Sequence, residues 1–271
     1  LKARLNNRNH RKILIIDGLV AYTGGINLAD EYINEISKYG HWKDNGIKLE
    51  GEAVNSFIVM FLSLWDYVHN IKEDYQKFYA PKELLTNNED GFVVPYSDTP
   101  IDDEEVGKII YMNMIYKATK YVYITTPYLI IDDEMITALS TAAKNGCDVR
   151  IITPGIPDKK IVNEVTKAYY EILIDSGVRI FEYTPGFIHA KTFISDDKYA
   201  TIGTVNMDFR SLYLHFECGV WMYQTSIIKT ILKDYQETLQ ICREITKKDC
   251  KKVLTTRRLL RYILKIFGPL M

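Results

Sequence analysis

Residues 10–27 (HRKILIIDGLVAYTGGIN) and 189–206 (HAKTFISDDKYATIGTVN) repeat one pattern, and that pattern decides how the rest of the chain is read. His10, Lys12, Asp17, Gly24 and Asn27 stand at offsets 0, 2, 7, 14 and 17; His189, Lys191, Asp196, Gly203 and Asn206 stand at the same offsets in the second copy. In both, one small residue follows the glycine, Gly25 or Thr204. Each copy reads as strand, turn, strand. Residues two apart on a strand share a face, so His10 projects with Lys12 and His189 with Lys191. Asn27 and Asn206 follow the second strand and its turn, where an amide can reach the same ligand. Two such half-sites gather two imidazoles, two ammoniums and two amides around one centre. That is a phosphate pocket with a nucleophile and an acid, and it needs no metal.

Every element has a structural alternative. A single strand histidine is more often a hydrogen-bonded structural residue than a catalyst. Lys12 and Lys191 would serve as edge-strand charges. Asp17 and Asp196 lie at strand ends, where turn hydrogen bonds are the favoured role, and Gly24 and Gly203 suit backbone geometry. The shared register is what independent structural needs do not reproduce, and it favours shared phosphoryl chemistry.

Outward from the first copy, the pattern predicts strands at 13–16 and 19–22, a turn at Gly24 and Gly25, a helix-like stretch at 28–36 and a strand at 42–49. Val54, Phe57, Ile58, Phe61, Leu62 and Trp65 recur at helical spacing and predict a helix over 52–67. Residues 70–90 are charged, contain Pro81 and read as a linker. Beyond it, helices at 103–119, 132–145 and 159–175 alternate with strands at 121–126, 149–153 and 178–183, with Gly146 and Gly177 placed as C-caps. Strands at 191–194, 199–203 and 217–222 and a helix at 226–241 close this part. The alternation implies an α/β fold whose sheet is covered on both faces. The division expected is a first lobe at 1–79, a linker and start of the second lobe at 80–100, a second lobe at 101–242 and a basic amphipathic tail at 243–271. A first constellation this close to residue 1 leaves little sheet to pair with, so further sheet is expected upstream.

With 47% hydrophobic residues the chain has ample material for a core, which excludes general disorder. Lys and Arg number 34 against 35 Asp and Glu, so there is no global attraction to nucleic acid. The four cysteines show neither a CxxC pair nor zinc-site spacing and read as reduced thiols. There is no span of 18 apolar residues and no signal-peptide pattern. Walker-type, dinucleotide, EF-hand and zinc motifs are absent from the sequence, so no cofactor or metal is expected. In the tail, Arg257, Arg258, Arg261 and Lys265 interleave with apolar residues. Such a helix either lies on an anionic leaflet or packs across a lobe with its basic side in water.

The paired constellations resemble the HKD signature of the phospholipase D superfamily. The segments WKDNGIKLEG (42–51), GFVVPYSD (91–98), TTPYLII (125–131), YTPGFIHAK (183–191) and GTVNMDFRS (203–211) resemble, more narrowly, bacterial cardiolipin synthases over nearly the whole chain. The resemblance implies a phospholipase D-like α/β fold: two pseudo-symmetric sheet lobes with helices on both faces and the active site between the lobes. It implies transfer of a phosphatidyl group from one phosphatidylglycerol to another with release of glycerol, through a phosphohistidine on His10, with His189 as acid and then base. Lys12, Lys191, Asn27 and Asn206 would hold phosphate oxygens. Glu217 matches the acid that orients the second histidine, and Asp44 looks like its counterpart in the first half. Ser211 matches a hydroxyl position, whereas His215 stands where the family usually has asparagine. The resemblance also implies a place at the bacterial cell membrane, catalytic region on the cytoplasmic side, anchors upstream and an anionic membrane surface as partner. A phospholipase D-type hydrolase or another phosphatidyltransferase uses the same residues. A nuclease would call for a basic groove with stacking aromatics, and intact His, Lys and Asn in both copies argue against a noncatalytic lipid-binding protein.

Overall fold

A computed structural model of the chain describes residues 7–85 and 91–270; the part of the expected linker at 86–90 lies outside the described residues. The larger sheet runs, edge to edge, Arg8–Asn9, His215–Tyr223, Tyr199–Gly203, Thr192–Ser195, Tyr121–Thr125, Asp148–Pro154, Arg179–Tyr183 and Cys242–Ile245. Phe92–Asp98 pairs antiparallel with Glu217–Tyr223 on the side away from Tyr199–Gly203, while Arg8–Asn9 takes His215 and Phe216. The central strand Thr192–Ser195 (TFIS) is buried throughout, and most of Asp148–Pro154 (DVRIITP) is buried too, as a sheet covered on both faces requires. Val106–Lys117, Asp133–Lys144 and Lys160–Asp175 cover one face, through Met114, Leu139, Val165 and Leu173. Ala53–His69 and Ile227–Gln240 cover the other, through Val54, Phe57, Ile228 and Tyr235.

The first half contributes a smaller antiparallel sheet of Leu14–Ile16, Val20–Gly24 and Gly46–Glu50. The two lobes are therefore unequal. They also share a core, since Ala21 and Leu49 of the small sheet join Ile152, Phe181, Ile194 and Ile202 of the large one in a single apolar cluster. Large-to-small changes there cost roughly 2–5 kcal/mol each, felt by both lobes.

Three local expectations are corrected. The stretch expected to be helix-like at 28–36 forms only the 3₁₀ turn Asp30–Ile33, ended by Asn34 in the left-handed region at φ 64°. The Asn34 side chain competes with helix continuation by clasping the backbone of Trp42: Trp42 N donates to Oδ1 (2.6 Å) and Nδ2 donates to Trp42 O (3.0 Å). The strand expected at 42–49 is broken in two. His41–Lys43 leaves the small sheet to pair parallel with Gly186–Ile188, while Gly46–Glu50 stays, and Asp44 and Asn45 sit at the break.

The tail is the third. Cys242–Ile245 extends the large sheet beside Arg179–Tyr183, and helix Lys247–Lys251 opens on a Thr246–Asp249 capping box. Helix Thr255–Ile266 then lies on Lys160–Asp175 with its basic side inward: Arg257 and Arg261 pair with Glu164, Arg258 pairs with Glu171, and the Lys265 ammonium sits 4.4 Å from the Tyr169 ring centroid. Glu164 and Glu171 stand seven residues apart, two turns on one helix face, and together draw in the cations. Leu259, Leu260, Ile263, Ile266 and Phe267 are left facing outward. Basic residues turned to water or to a leaflet are thus replaced by basic residues paired to protein and an apolar stripe outside.

Candidate active site

Each histidine is placed by a short parallel strand that ends on it. Arg8–Asn9 runs beside His215 and Phe216 in the register Arg8 to His215 and Asn9 to Phe216, and His10 N donates to Phe216 O (2.9 Å). The next pair in that register is His10 with Glu217, and His10 Nδ1 lies 2.9 Å from Glu217 Oε2. Gly186–Ile188 runs beside His41–Lys43 in the same manner, and His189 N donates to Lys43 O (2.7 Å). The next pair there is His189 with Asp44, Nδ1 to Oδ2 at 2.7 Å. The acids are therefore crossed. Glu217 serves the first histidine and Asp44 the second, each supplied by the other half, which corrects the pairing implied by resemblance.

Both acids are ionised. Burial alone would raise Glu217, but His10 first, then His215 at 3.6 Å and the Thr204 hydroxyl, bring it down to about 2. Burial likewise works against Asp44, and the His189 bond and the nearby Lys191 charge outweigh it. An ionised carboxylate can only accept, so the Nδ1 atoms carry hydrogen in these bonds. His189 is the more enclosed ring: its side chain is 8% exposed against 24% for His10. Burial, with the Lys191 ammonium beside it, lowers His189 to about 4 against the pull of Asp44, leaving its Nε2 a free base at neutral pH.

The lysines repeat one another as well. Lys12 Nζ donates to His10 O (2.7 Å), and Lys191 Nζ donates to His189 O. Burial lowers Lys12 to about 8 and Lys191 to about 7, with Asp44 and Glu217 among the charges that oppose the shift at each. Charges from both halves thus act on both lysines. Asn206 is buried with its Oδ1 free of a partner, while Asn27 is half-buried. Buried Ser211 keeps an unpartnered Oγ.

The two aspartates of the constellations do not join the histidines. Asp196 accepts from Thr119 N, Thr119 Oγ1, Lys120 N and Tyr121 N, fastening the start of strand Tyr121–Thr125. It lies past the far end of Thr192–Ser195 from Lys191. Asp17 is exposed at the equivalent turn; φ is 53° at Asp17 and 55° at Asp196, and short polar side chains tolerate that region. Their shared offset reports a shared turn.

The glycine and the small residue after it do shape the site. Gly25 N donates to Asn45 O (3.0 Å) and Thr204 N to Cys218 O (2.8 Å), so each copy lies against the residue following its acid. A Cβ on Gly25 would stand 2.1 Å from Asp44 Oδ1 and 2.9 Å from His189 O. In the other half Thr204 fills the place and donates its hydroxyl to Glu217. Gly24 pairs with Gly46 and Gly203 with Gly219, making acid-x-Gly a second repeated signal, D-N-G at 44–46 and E-C-G at 217–219. Sequence reasoning missed that signal. It also missed Trp42, which lies two residues before Asp44, donates from Nε1 to Asp44 Oδ2 (3.4 Å) and stands 5.1 Å from the His189 ring centre.

A family model described as cardiolipin synthase, PLD-like domain, matches residues 111–239. The chain is 49% identical over 271 residues to an uncharacterized protein of Streptococcus mutans, covering 98% of this chain and 57% of that protein. It is 37% identical over 267 residues to a cardiolipin synthase of Alkalihalophilus pseudofirmus, covering 98% and 53%. The chain thus spans somewhat over half the length of these relatives. In fold it is similar to the crystal structure of phosphatidylserine synthase from Haemophilus influenzae, with a TM-score of 0.71 at 18% identity, over 97% of this chain and 71% of that one. Residues 111–239 thus match a cardiolipin-synthase PLD-like domain, and nearly the whole chain is similar to part of a cardiolipin synthase.

Proposed function

We propose that the protein transfers phosphatidyl groups between two phosphatidylglycerol molecules, forming cardiolipin and glycerol through a phosphohistidine. The observation that carries the reading is the crossed pair of histidine–carboxylate couples, each oriented through Nδ1. Resemblance gives the attack on phosphorus to His10. The deeper enclosure of His189, whose side chain is 8% exposed against 24% for His10, would shield a phosphohistidine from water, and we take His189 as nucleophile. In this reading the His189 Nε2–P bond forms as the P–O bond to glycerol breaks, and His10 delivers a proton to the departing oxygen. His10 then takes the proton from a glycerol hydroxyl of the second lipid, whose oxygen attacks phosphorus and releases His189. Lys12, Lys191, Asn27 and Asn206 neutralise the non-bridging oxygens, the lysines swinging from the carbonyls that hold them in the free protein.

Transfer rather than hydrolysis depends on water exclusion around the phosphohistidine. Among the described residues no helix is long and apolar enough to cross a membrane. Contact with a bilayer is proposed through the outward apolar stripe of helix Thr255–Ile266. Intact protein incubated with phosphatidylglycerol vesicles is expected to yield cardiolipin and glycerol by mass spectrometry, and neither His10→Ala nor His189→Ala should do so. Phosphatidic acid alone would establish a hydrolase. A phosphoenzyme that still forms in His189→Ala would return the nucleophile's role to His10.

A further inference from the structure

Outside the roles assigned above, His215 is unaccounted for at the site. His215 lies at the start of strand His215–Tyr223, and among the described residues neither of its buried ring nitrogens has a partner within hydrogen-bond distance. Its Nδ1 is 3.6 Å from Glu217 Oε1, too long for a hydrogen bond. Leaving a buried polar group unsatisfied costs roughly 1–3 kcal/mol, and such a group calls for an explanation. The ring faces His10, 5.7 Å between centroids, across the same carboxylate.

We infer that His10, His215 and Glu217 form a zinc-binding site, whose occupation withdraws His10 and Glu217 from phosphoryl transfer. One donor atom from each of the three lies within 4.8 Å of the others. From Glu217 Oε1 the edges are 3.0 Å to His10 Nδ1 and 3.6 Å to His215 Nδ1. A tetrahedral ion with bonds of about 2.0–2.1 Å separates its ligands by roughly 3.3 Å, so both Glu217 edges already fit and the two imidazoles, with donor atoms within 4.8 Å, close on the ion by side-chain rotation. Two imidazoles and a carboxylate suit zinc and disfavour magnesium or calcium, which take all-oxygen shells. Thr204 Oγ1 donates to Glu217 and steadies the carboxylate behind the site, and the buried Asp208 carboxylate acts electrostatically on both His10 and His215. The partly exposed His10 side chain gives the ion a route from solvent, and the fourth position is left to water or a phosphate oxygen.

Among the described residues the other half offers no such site. At the place two residues before the acid it carries Trp42, whose indole N–H donates to Asp44 and has no lone pair for a metal. Zinc is therefore expected to act on one histidine only. No sequence spacing marks the site, because His10 and Glu217 are 207 positions apart.

The test uses intact protein stripped by a chelator, with zinc titrated against a chromophoric competitor. One equivalent is expected to bind, at least tenfold more weakly in His215→Asn and in His10→Ala, and unchanged in His189→Ala. Absence of stoichiometric binding at micromolar zinc, or wild-type affinity in His215→Asn, overturns the inference. X-ray absorption on the zinc-loaded wild type gives a variant-independent check. Two imidazoles and an oxygen ligand are expected, and a sulfur ligand would place the ion on Cys218 instead. These readouts stand without the proposed activity. Only the consequence rests on it, namely transfer inhibited by zinc and restored by chelator.

Discussion

Gly25→Ala tests how Asp44 is held against His189. The added Cβ would sit 2.1 Å from Asp44 Oδ1 and 3.0 Å from its Cγ. Carbon–oxygen contacts are ordinarily about 3.3 Å or longer, so the carboxylate must retreat by about 1 Å. A retreat of that size takes the His189 Nδ1–Asp44 Oδ2 bond, 2.7 Å in the native arrangement, out of hydrogen-bond range. The second obstacle, His189 O at 2.9 Å, is backbone and yields less readily. Overpacking costs roughly 1–3 kcal/mol and loss of a hydrogen bond to a charged group roughly 1.5–3, so the variant is expected to be about 3–6 kcal/mol less stable. At 2–4 °C per kcal/mol for a chain of this size, Tm falls by about 6–24 °C. Transfer per folded molecule is expected to drop about a hundredfold, the usual consequence of misplacing a catalytic group by about 1 Å. Calorimetry gives the first figure, vesicle assays below the lowered Tm the second, and imidazole nitrogen NMR follows the Nδ1–H itself. A variant within threefold of wild-type rate, with an unchanged Nδ1–H signal, would refute the claim that this glycine makes room for the couple.

Glu217→Gln replaces an acceptor beside His10 with an amide and is expected to lower transfer by about 10³–10⁴. Because the folded Glu217 lies at about 2, below its usual 4.5, its ionisation stabilises the fold above that usual value, and the contribution is lost as pH falls from about 5 toward 2. Acid unfolding of the Gln variant should therefore lack this component in denaturant titrations. Lys191 and Lys12 lie at about 7 and 8 in the free protein, so binding of sulfate, which does not itself titrate there, should take up protons and weaken as pH rises from 7 to 9; calorimetry in two buffers of different ionisation heat measures the uptake. Asp196→Ala strips the acceptor from three backbone N–H groups and should cost roughly 2–3 kcal/mol with activity per folded molecule retained, whereas Asp17→Asn should behave as wild type in both assays. Leu259→Glu with Ile263→Glu should reduce flotation with vesicles of the intact protein, and the wild-type binding should change little between low and high salt because the neighbouring arginines are already paired.

What could be read from the sequence was whatever repeats or alternates. The constellation offsets located both histidines and both lysines, and the helix–strand alternation after residue 100 located the larger sheet. The smaller half was harder, because its elements are short and set by tertiary partners. Asn34 overrides a helix-like stretch by capturing Trp42, and Gly186–Ile188 draws His41–Lys43 away from Gly46–Glu50 at the turn-type run Asp44, Asn45 and Gly46, which a single strand over 42–49 passed over. Asp17 and Asp196 share the offset too, yet their strand-end positions pointed to turns, and Asp196 does hold a turn. Pseudo-symmetry repeats the scaffold as faithfully as the chemistry, so identical register alone does not separate a turn carboxylate from a catalytic one. The tail could not be oriented from its own pattern either: a cationic amphipathic helix points its charge at water by default, and only Glu164 and Glu171, on another helix, reverse it.

The crossing of the acids has a consequence for how the site is assembled. Had each half held its own acid, each could present an oriented imidazole alone, and bringing the halves together would merely raise local concentration. Here His10 is oriented only when Arg8–Asn9 lies beside His215–Tyr223, and His189 only when Gly186–Ile188 lies beside His41–Lys43. Each pairing consists of two or three residues, too few to persist without the shared apolar core behind it. Separately produced halves should therefore show no phosphohistidine, and mixing them should restore it only to the extent that the core reforms. Label appearing on either half alone would show that a histidine can work without the acid of the other lobe.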